Sequence, residues 1–266
     1  MNRPESPPIA DVQSHHDARE LAIDRVGIRG LRYPLRFADV GSAPQSTIAT
    51  CGVYVALPAD RKGTHMSRLV AIIDQRREAM SIASLSDLLD ELLAKLDARE
   101  GCIEIAFPWF REKTAPVSGV PSMMDYEVKL AADSSGGTRT ISATVIVPVM
   151  SLCPSSKAIA DYGAHNQRSH LTVMVVLRAN AAVALADLVK IAEDEASCDL
   201  YGLLKRADEK YVTERAYDRP RFVEDLVRGV AARLMDDSRF AGFHVAAENF
   251  ESIHNHSAYA EIRRNV

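Results

Sequence analysis

Apolar and polar residues alternate roughly from Leu21 to Phe37, and Gln45–Leu57 repeats the pattern up to Pro58. A period of two puts every second side chain on one face, which predicts two half-buried strands. The period then lengthens. Thr64, after Gly63, predicts an N-cap for a helix over Met66–Arg76, and Ser86 predicts a cap for the next, where Leu85, Leu88, Leu89, Leu92, Leu93 and Leu96 recur at helical spacing. Cys102–Phe107 and Tyr126–Ala132 read as strands, Ser134–Gly137 as a turn, and Thr138–Met150 as a β-branched strand. A strand at His170–Ala179, helices at Ala182–Glu195 and Phe222–Leu234, and strands at Phe243–Phe250 and Ala258–Arg263 complete the pattern. Each half therefore reads strand–strand, helix–helix, strand–strand. The expectation is an α+β protein of two tandem ββααββ units, 21–135 and 136–266, behind a flexible N-terminal segment, 1–20.

Composition narrows the class. The chain has 266 residues, 47% hydrophobic and 26% charged, enough to bury substantial cores. A net charge of −4 supplies no overall basic field, so no nucleic-acid partner is expected. Cys51, Cys102, Cys153 and Cys198 are far apart and form no CxxC pair. That spacing predicts reduced thiols in a cytoplasmic protein rather than a disulfide framework. No apolar run is long enough to span a bilayer and the first residues do not read as a signal peptide, so no membrane partner is expected.

The densest chemistry lies between two apolar runs, in Val147–Val173. Cys153 and His165 flank a polar loop that also holds Ser155, Ser156 and Lys157. A thiol and an imidazole suit a metal ion that keeps an open position for water, and hydroxyls with a lysine suit an anionic substrate group. Taken singly, a Cys is more often a small buried hydrophobe and a His a satisfied packing residue. Three further blocks add weight: Cys51–Arg68, containing CGVYVALPADRKGTHMSR; Ser197–Glu214, SCDLYGLLKRADEKYVTE; and Glu248–Ala260, ENFESIHNHSAYA. Together with Ile9-Ala10-Asp11-Val12-Gln13, these blocks closely resemble the type IB GTP cyclohydrolases over nearly the whole chain.

The resemblance implies the tunnelling fold, in which ββααββ units assemble into a barrel with helices outside, and a homotetramer with sites between subunits. It implies conversion of GTP and water to 7,8-dihydroneopterin triphosphate and formate, the first step of tetrahydrofolate biosynthesis, by metal-activated water attack on C8. The metal would be one divalent ion per site, manganese, zinc or iron. Its ligands would be Cys153, His165 and Glu209, the last chosen by similarity beside its neighbour Asp208. One departure stands out: Ala207 occupies a position where the family pattern suggests proline, which would loosen that loop.

The substrate sets further demands. Guanine presents N1–H and an amino group to one acceptor fork, which a carboxylate provides. Glu224, at a helix start, is the choice and Glu214 the alternative. Triphosphate donors are Ser156 and Lys157, then Lys62, His65, Ser67 and Arg68 around a helix N-terminus, and Arg168. His254 and His256 are two apart. In extended chain both rings would share a face, so they are assigned to proton transfer alongside Cys153 as catalytic residues, with ligation as the alternative. Cys51, Cys102 and Cys198 read as buried apolar residues, and His170 and His244 as packing residues. Competing readings are another tunnelling-fold enzyme, of the nitrile reductase or pterin synthase type, and a noncatalytic purine-binding protein.

Overall fold

Alternation becomes strand wherever one face can be buried, and here one sheet takes nearly all of it. A computed structural model describes residues 11, 13, 15–75 and 78–266. In chain order the elements are β1 (Ile23–Phe37), β2 (Gln45–Leu57), α1 (Met66–Asp74), α2 (Ser84–Leu96), β3 (Gly101–Thr114), β4 (Pro121–Ser135), β5 (Thr138–Leu152), α3 (Pro154–Ile159), β6 (Asn166–Leu177), α4 (Leu185–Glu195), β7 (Cys198–Asp199), α5 (Arg206–Asp218), α6 (Val223–Met235), β8 (Phe240–Asn249) and β9 (Ala258–Arg264). The strands form a single antiparallel sheet ordered β1-β2-β3-β4-β5-β6-β8-β9, with the short β7 paired to β5. The architecture is mixed α+β, with six helices among the described residues.

The core follows the period of two. On β5, Ala143, Val145, Val147 and Val149 are fully buried; on β6, Leu171, Val173 and Val175 are. These rows meet Leu85, Leu88, Leu89 and Leu92 of α2, Leu185, Leu188 and Val189 of α4, and Leu226 and Val230 of α6 in one continuous cluster. The opposite sheet face carries the intermediate and exposed positions, among them Asp125, Glu127, Arg168 and His170. The turn expected at Ser134–Gly137 closes the β4–β5 hairpin through Gly136 and Gly137, at φ 56° and 75°. A two-residue loop needs positive φ at both positions, which glycine adopts without strain.

Several strands are longer than alternation alone indicates. β3 runs through Pro108 to Thr114, and β5 through Pro148 to Leu152. A proline ring cannot donate to a ladder. Both prolines lie beyond the point where a neighbouring strand stops pairing: β2–β3 register ends at Thr50↔Ala106, and β4–β5 register ends at Glu127↔Ile146. Two cap expectations are corrected. The N-cap of α1 is His65, without a side-chain bond, rather than Thr64. The Ser86 cap is replaced by a reciprocal pair one turn earlier, in which Ser81 N donates to Ser84 Oγ and Ser84 N to Ser81 Oγ.

Of the segment expected to be a flexible tail, residues 1–10, 12 and 14 lie outside the described residues. The described part lies along the chain after β2: Gln13 Nε2 donates to Thr64 O at 3.0 Å, and Lys62 N to His15 O at 3.0 Å.

Asp39 joins distant parts of the chain. It is 5% exposed, and its carboxylate accepts from Leu185 N at 2.9 Å and Ala186 N at 3.3 Å, capping α4 from a loop 146 residues away in sequence. Burial pushes this carboxyl up, against the pull of the Leu185, Ala186 and Val40 N–H groups. Losing a cap costs about 1–2 kcal/mol. Asp39→Ala is accordingly expected to lower the urea midpoint by that equivalent at constant m, and an unchanged midpoint would refute the capping role.

Candidate functional site

The β5–β6 ladder runs in continuous register from Ser142↔Val176 to Leu152↔Asn166. Cys153 and His165 are therefore the residues immediately past its end. Their backbones stay joined, with Cys153 N donating to His165 O at 3.1 Å. Between them, Pro154 starts the short helix α3, and Cys153 is its N-cap. Ser156 closes the loop twice: its N–H donates to Cys153 Sγ at 3.4 Å and its Oγ accepts from His165 N at 3.2 Å. Leu152 is held on both sides, its N–H by Ser197 Oγ at 3.0 Å and its carbonyl by Arg221 N at 2.9 Å. The thiol is thus presented from a tied loop, partly exposed.

Other predicted residues gather at this end of the sheet. β8 ends at Asn249, opposite Ser169, and β9 begins at Ala258, so the loop 250–257 leaves beside the start of β6. It carries His254 and His256. The expectation of an extended segment is corrected, since this stretch is a series of bends. The two rings still lie together, stacked with centroids 5.1 Å apart and planes 14° apart. Arg168 is exposed at the start of β6, and with His170, Tyr201 and Asp125 it lines a cavity of about 260 Å³ on the open sheet face. Arg221 bonding places the start of α6 near Leu152. There Asp225 caps the helix by accepting from Phe222 N at 2.9 Å, while Glu224 stands exposed beside it. Glu214, the alternative guanine anchor, is paired with Lys210 at 2.9 Å.

Two candidate donor sets are placed differently. Lys157 extends along α5, its Nζ 2.5 Å from Tyr217 O and 4.1 Å from the Tyr217 ring centre. Lys62, His65 and Arg68 belong to the other end of the sheet, past Leu57, where His65 Nε2 is 3.2 Å from Asp11 Oδ2. Within one chain they do not join the Cys153 loop.

The segment expected to be a loop around Asp208 and Glu209 is the first turn of α5. Its sparse apolar pattern gave no helical period; only Asp208, Val212 and Ala216 are buried. Asp208 supplies the order instead. Its carboxylate accepts from Lys205 N, Val117 N and Ser118 N, each at 2.8 Å, and from Ser118 Oγ at 2.6 Å, clamping the β3–β4 hairpin to the helix start. Ala207 sits in that turn as an ordinary helix former. Glu209, next to the clamp, is exposed.

A buried ion cluster underlies the same region. Lys113 Nζ lies 2.7 Å from Glu193 Oε1, 3.0 Å from Asp199 Oδ2 and 2.8 Å from Leu200 O. Burial pushes the Glu193 carboxyl up, against the attraction of Lys113. At Asp199 burial acts the same way, but Lys113 outweighs it and the carboxyl lies below its usual range. Tyr126 and Tyr201 donate to these two carboxylates. Cys51 and Cys198, as expected, are buried apolar thiols pushed up to about 11, and Cys102 to about 12. His170 packs edge-on against Phe250 at 4.9 Å. His244 instead lies 3.0 Å from Glu261 Oε2.

A family model described as type I GTP cyclohydrolase FolE2 matches residues 9–260. The chain belongs to this family. It is 52% identical over 265 residues to the GTP cyclohydrolase FolE2 of Methylobacillus flagellatus, covering 100% of this chain and 99% of that relative. It is 54% identical over 255 residues to the Ralstonia nicotianae GTP cyclohydrolase FolE2, covering 96% and 94%. Among solved structures, a Bacillus sp. TB-90 urate oxidase mutant aligns over 91% of this chain and 99% of its own, with 8% identity and a TM-score of 0.53. The Arthrobacter globiformis uricase covers 91% and 93%, with 9% identity and a TM-score of 0.50. At such identities the likeness is one of fold alone.

For a metal, Cys153 and His165 supply a soft sulfur and an imidazole nitrogen, donors compatible with zinc or iron. Among the described residues no three His, Cys, Asp or Glu side chains come together, so Glu209 does not complete a three-donor set with this pair. Sequence reasoning missed Gln167, whose Oε1 lies 3.0 Å from His165 Nδ1. The strand period places residue i+2 on the face of the histidine, but it does not distinguish a buried partner from a solvent-facing amide.

The Asp208 clamp predicts acid sensitivity. Burial opposes ionisation there, but the Ser118 hydroxyl and N–H, with the N–H groups of Lys205 and Val117, outweigh it and hold the carboxyl well below the usual range. A carboxylate whose folded pKa is depressed contributes stability above its unfolded value, about 3.9, and loses that contribution as pH falls through the folded value. Asp208→Asn should therefore flatten the fall in stability below about pH 4 while lowering stability at neutral pH. Melting curves across this range decide it; an acid limb as steep as the parent's would show that Asp208 is not the titrating clamp.

Proposed function

We propose that this chain is a GTP cyclohydrolase I of the type IB class, converting GTP and water to 7,8-dihydroneopterin triphosphate and formate at the start of tetrahydrofolate biosynthesis in the cytoplasm. The observation that carries the reading is the Cys153–His165 pair at the end of the β5–β6 ladder, in a chain matched to the family over residues 9–260. A divalent metal there, manganese, zinc or iron, would supply a water whose pKa falls from ~15.7 towards ~7. Cys153 and His165 would hold it. The third donor would be Glu209, brought in by movement of α5 or from a second copy of the chain.

The chain's own residues do the rest. Glu224, exposed at the start of α6 and free of the capping that occupies Asp225, would accept from guanine N1–H and the amino group. Arg168 would take phosphate oxygens, as would Ser156 and Lys157 once released from their contacts within the loop and with Tyr217. His254 and His256 would move protons at the ring nitrogens as the purine opens and recloses.

The edges of the sheet support an assembly. Among the described residues β1 and β9 pair on one side only, apart from a Phe37–Met80 bridge. Unpaired edges favour association, and we propose a homotetramer in which the tandem units 21–135 and 136–266 close a tunnelling-fold barrel. The set at Lys62, His65 and Arg68 would then meet the Cys153 loop of another copy and join the triphosphate site.

Incubating the purified chain with GTP and each metal in turn should release formate, and Cys153→Ala should lose bound metal and turnover together. Absence of formate with every metal would sink the activity; full metal content and turnover in Cys153→Ala would sink the site. For guanine, Glu224→Gln replaces an acceptor oxygen by a donor facing donors. Its expected loss is about 1.5–3 kcal/mol, roughly ten- to a hundredfold in GTP Kd, at unchanged metal content. Equilibrium binding measures it, and an unaltered Kd would move the role to Glu214.

A further inference from the structure

Among the described residues, His165 is bonded at every polar atom except Nε2. Its N–H donates to Ser156 Oγ at 3.2 Å, its carbonyl accepts from Cys153 N at 3.1 Å, and Nδ1 lies 3.0 Å from Gln167 Oε1. Gln167 is itself fixed. It is 6% exposed, and its Nε2 donates to Ser151 Oγ at 2.7 Å. Ser151 Oγ in turn lies 2.8 Å from Ser169 Oγ, and both serines are fully buried. Four side chains thus form one chain of hydrogen bonds running from the imidazole into the sheet between β5 and β6.

Such a chain has a direction. A neutral imidazole has one donor and one acceptor nitrogen, and a serine hydroxyl donates once. Oriented inward, His165 Nδ1–H donates to Gln167 Oε1, Gln167 Nε2 to Ser151, and Ser151 to Ser169. The Ser169 hydrogen is then left over. Directly across the β6–β8 ladder stands Asn249, 3% exposed, whose Oδ1 is a buried acceptor with no partner among the described residues. Opposed residues of an antiparallel pair share a face about 5 Å apart. An acceptor lacking a donor therefore lies at the end where the inward chain has a hydrogen to give. Ser169 and Asn249 are opposed without a bond between them; the outward direction would use up the hydrogen that Ser169 could turn toward that acceptor, and would put the imidazole proton on Nε2.

We infer that Gln167 is a positioning residue that holds His165 as the Nδ1–H tautomer, so that the Nε2 lone pair faces the Cys153 loop as a ligand. The consequence for metal binding rests on the reading of His165 as a ligand, whereas the tautomer does not. Hydrogen bonds to the far nitrogen of a ligating histidine are typically worth 10- to 100-fold in metal affinity.

The test uses the full chain, metal-free, labelled with ¹⁵N-histidine, at a pH where imidazole is neutral. His165 signals, assigned by their loss in His165→Ala, should show the Nδ1–H tautomer. Gln167→Leu should shift them towards Nε2–H and weaken zinc binding by roughly 10- to 100-fold. Should Gln167→Leu not fold, Ser151→Ala removes the hydroxyl that fixes the amide and should give a mixture of tautomers. The proposal is overturned by an Nε2–H tautomer in the parent chain. It is overturned equally by a folded Gln167→Leu chain that keeps both the parent tautomer and the parent zinc affinity. Zinc affinity unchanged in His165→Ala would instead remove the ligand reading, leaving the tautomer to be judged by its own spectrum.

Discussion

Everything at the candidate site depends on the register between β5 and β6. Cys153 and His165 are twelve positions apart in sequence, and only the pairing of Leu152 with Asn166 makes them neighbours. A slip of one residue would turn Val145, Val147 and Val149 out of the core and flip Gln167 away from Ser151. The apolar alternation that buries these strands therefore also fixes where the thiol and the imidazole stand. Packing energy specifies the chemistry here, and the polar chain through Gln167, Ser151 and Ser169 costs little because each buried atom in it has a partner.

Around that ladder, buried charges act as fasteners between segments far apart in sequence. Asp39 ties the β1–β2 loop to α4, Asp208 ties the β3–β4 hairpin to α5, and Lys113 ties β3 to α4 and β7. Each involves one of the two sequence halves at either end. An ion taken out of water repays the cost only when its bonds are numerous and well placed. Asp208, with four donors, and Lys113, with three acceptors, meet that condition. Glycine assists where chains come close: a Cβ on Gly202 would stand 2.6 Å from Met123 O, so only glycine lets the segment after β7 lie against β4.

The strands and long helices were legible because their signal is burial at a fixed period, although β3 and β4 run five to seven residues beyond the pattern at one end. What escaped has another physical origin. α5 lacks an apolar stripe and is ordered by Asp208 and by Lys157 at its far end, neither of which has a periodic signature. The extension of β3 passes through Pro108, which local chemistry reads as a stop. At the site, Cys153 and His165 were singled out by residue type together with the family resemblance. Gln167, Ser151 and Ser169 were not, because an uncharged polar residue in a strand looks the same whether it faces solvent or completes a buried chain.

This division has a consequence for how the site works. The thiol and imidazole are attached to paired strands and a tied loop, so their geometry is set before any ligand arrives. Glu224, His254 and His256 are carried on a helix start and a loop of bends. In the proposed reaction the purine opens and recloses, so groups at its periphery would follow it, whereas Cys153 and His165 would stay in place. Rigid strands suit the second task, and loops and helix ends the first. The same reasoning accounts for the position of the site at the end of the ladder. Along β5 and β6 the backbone is committed to the ladder up to Leu152↔Asn166, and only past that pair can the chain leave the sheet, turn through α3 and expose a side chain while remaining anchored.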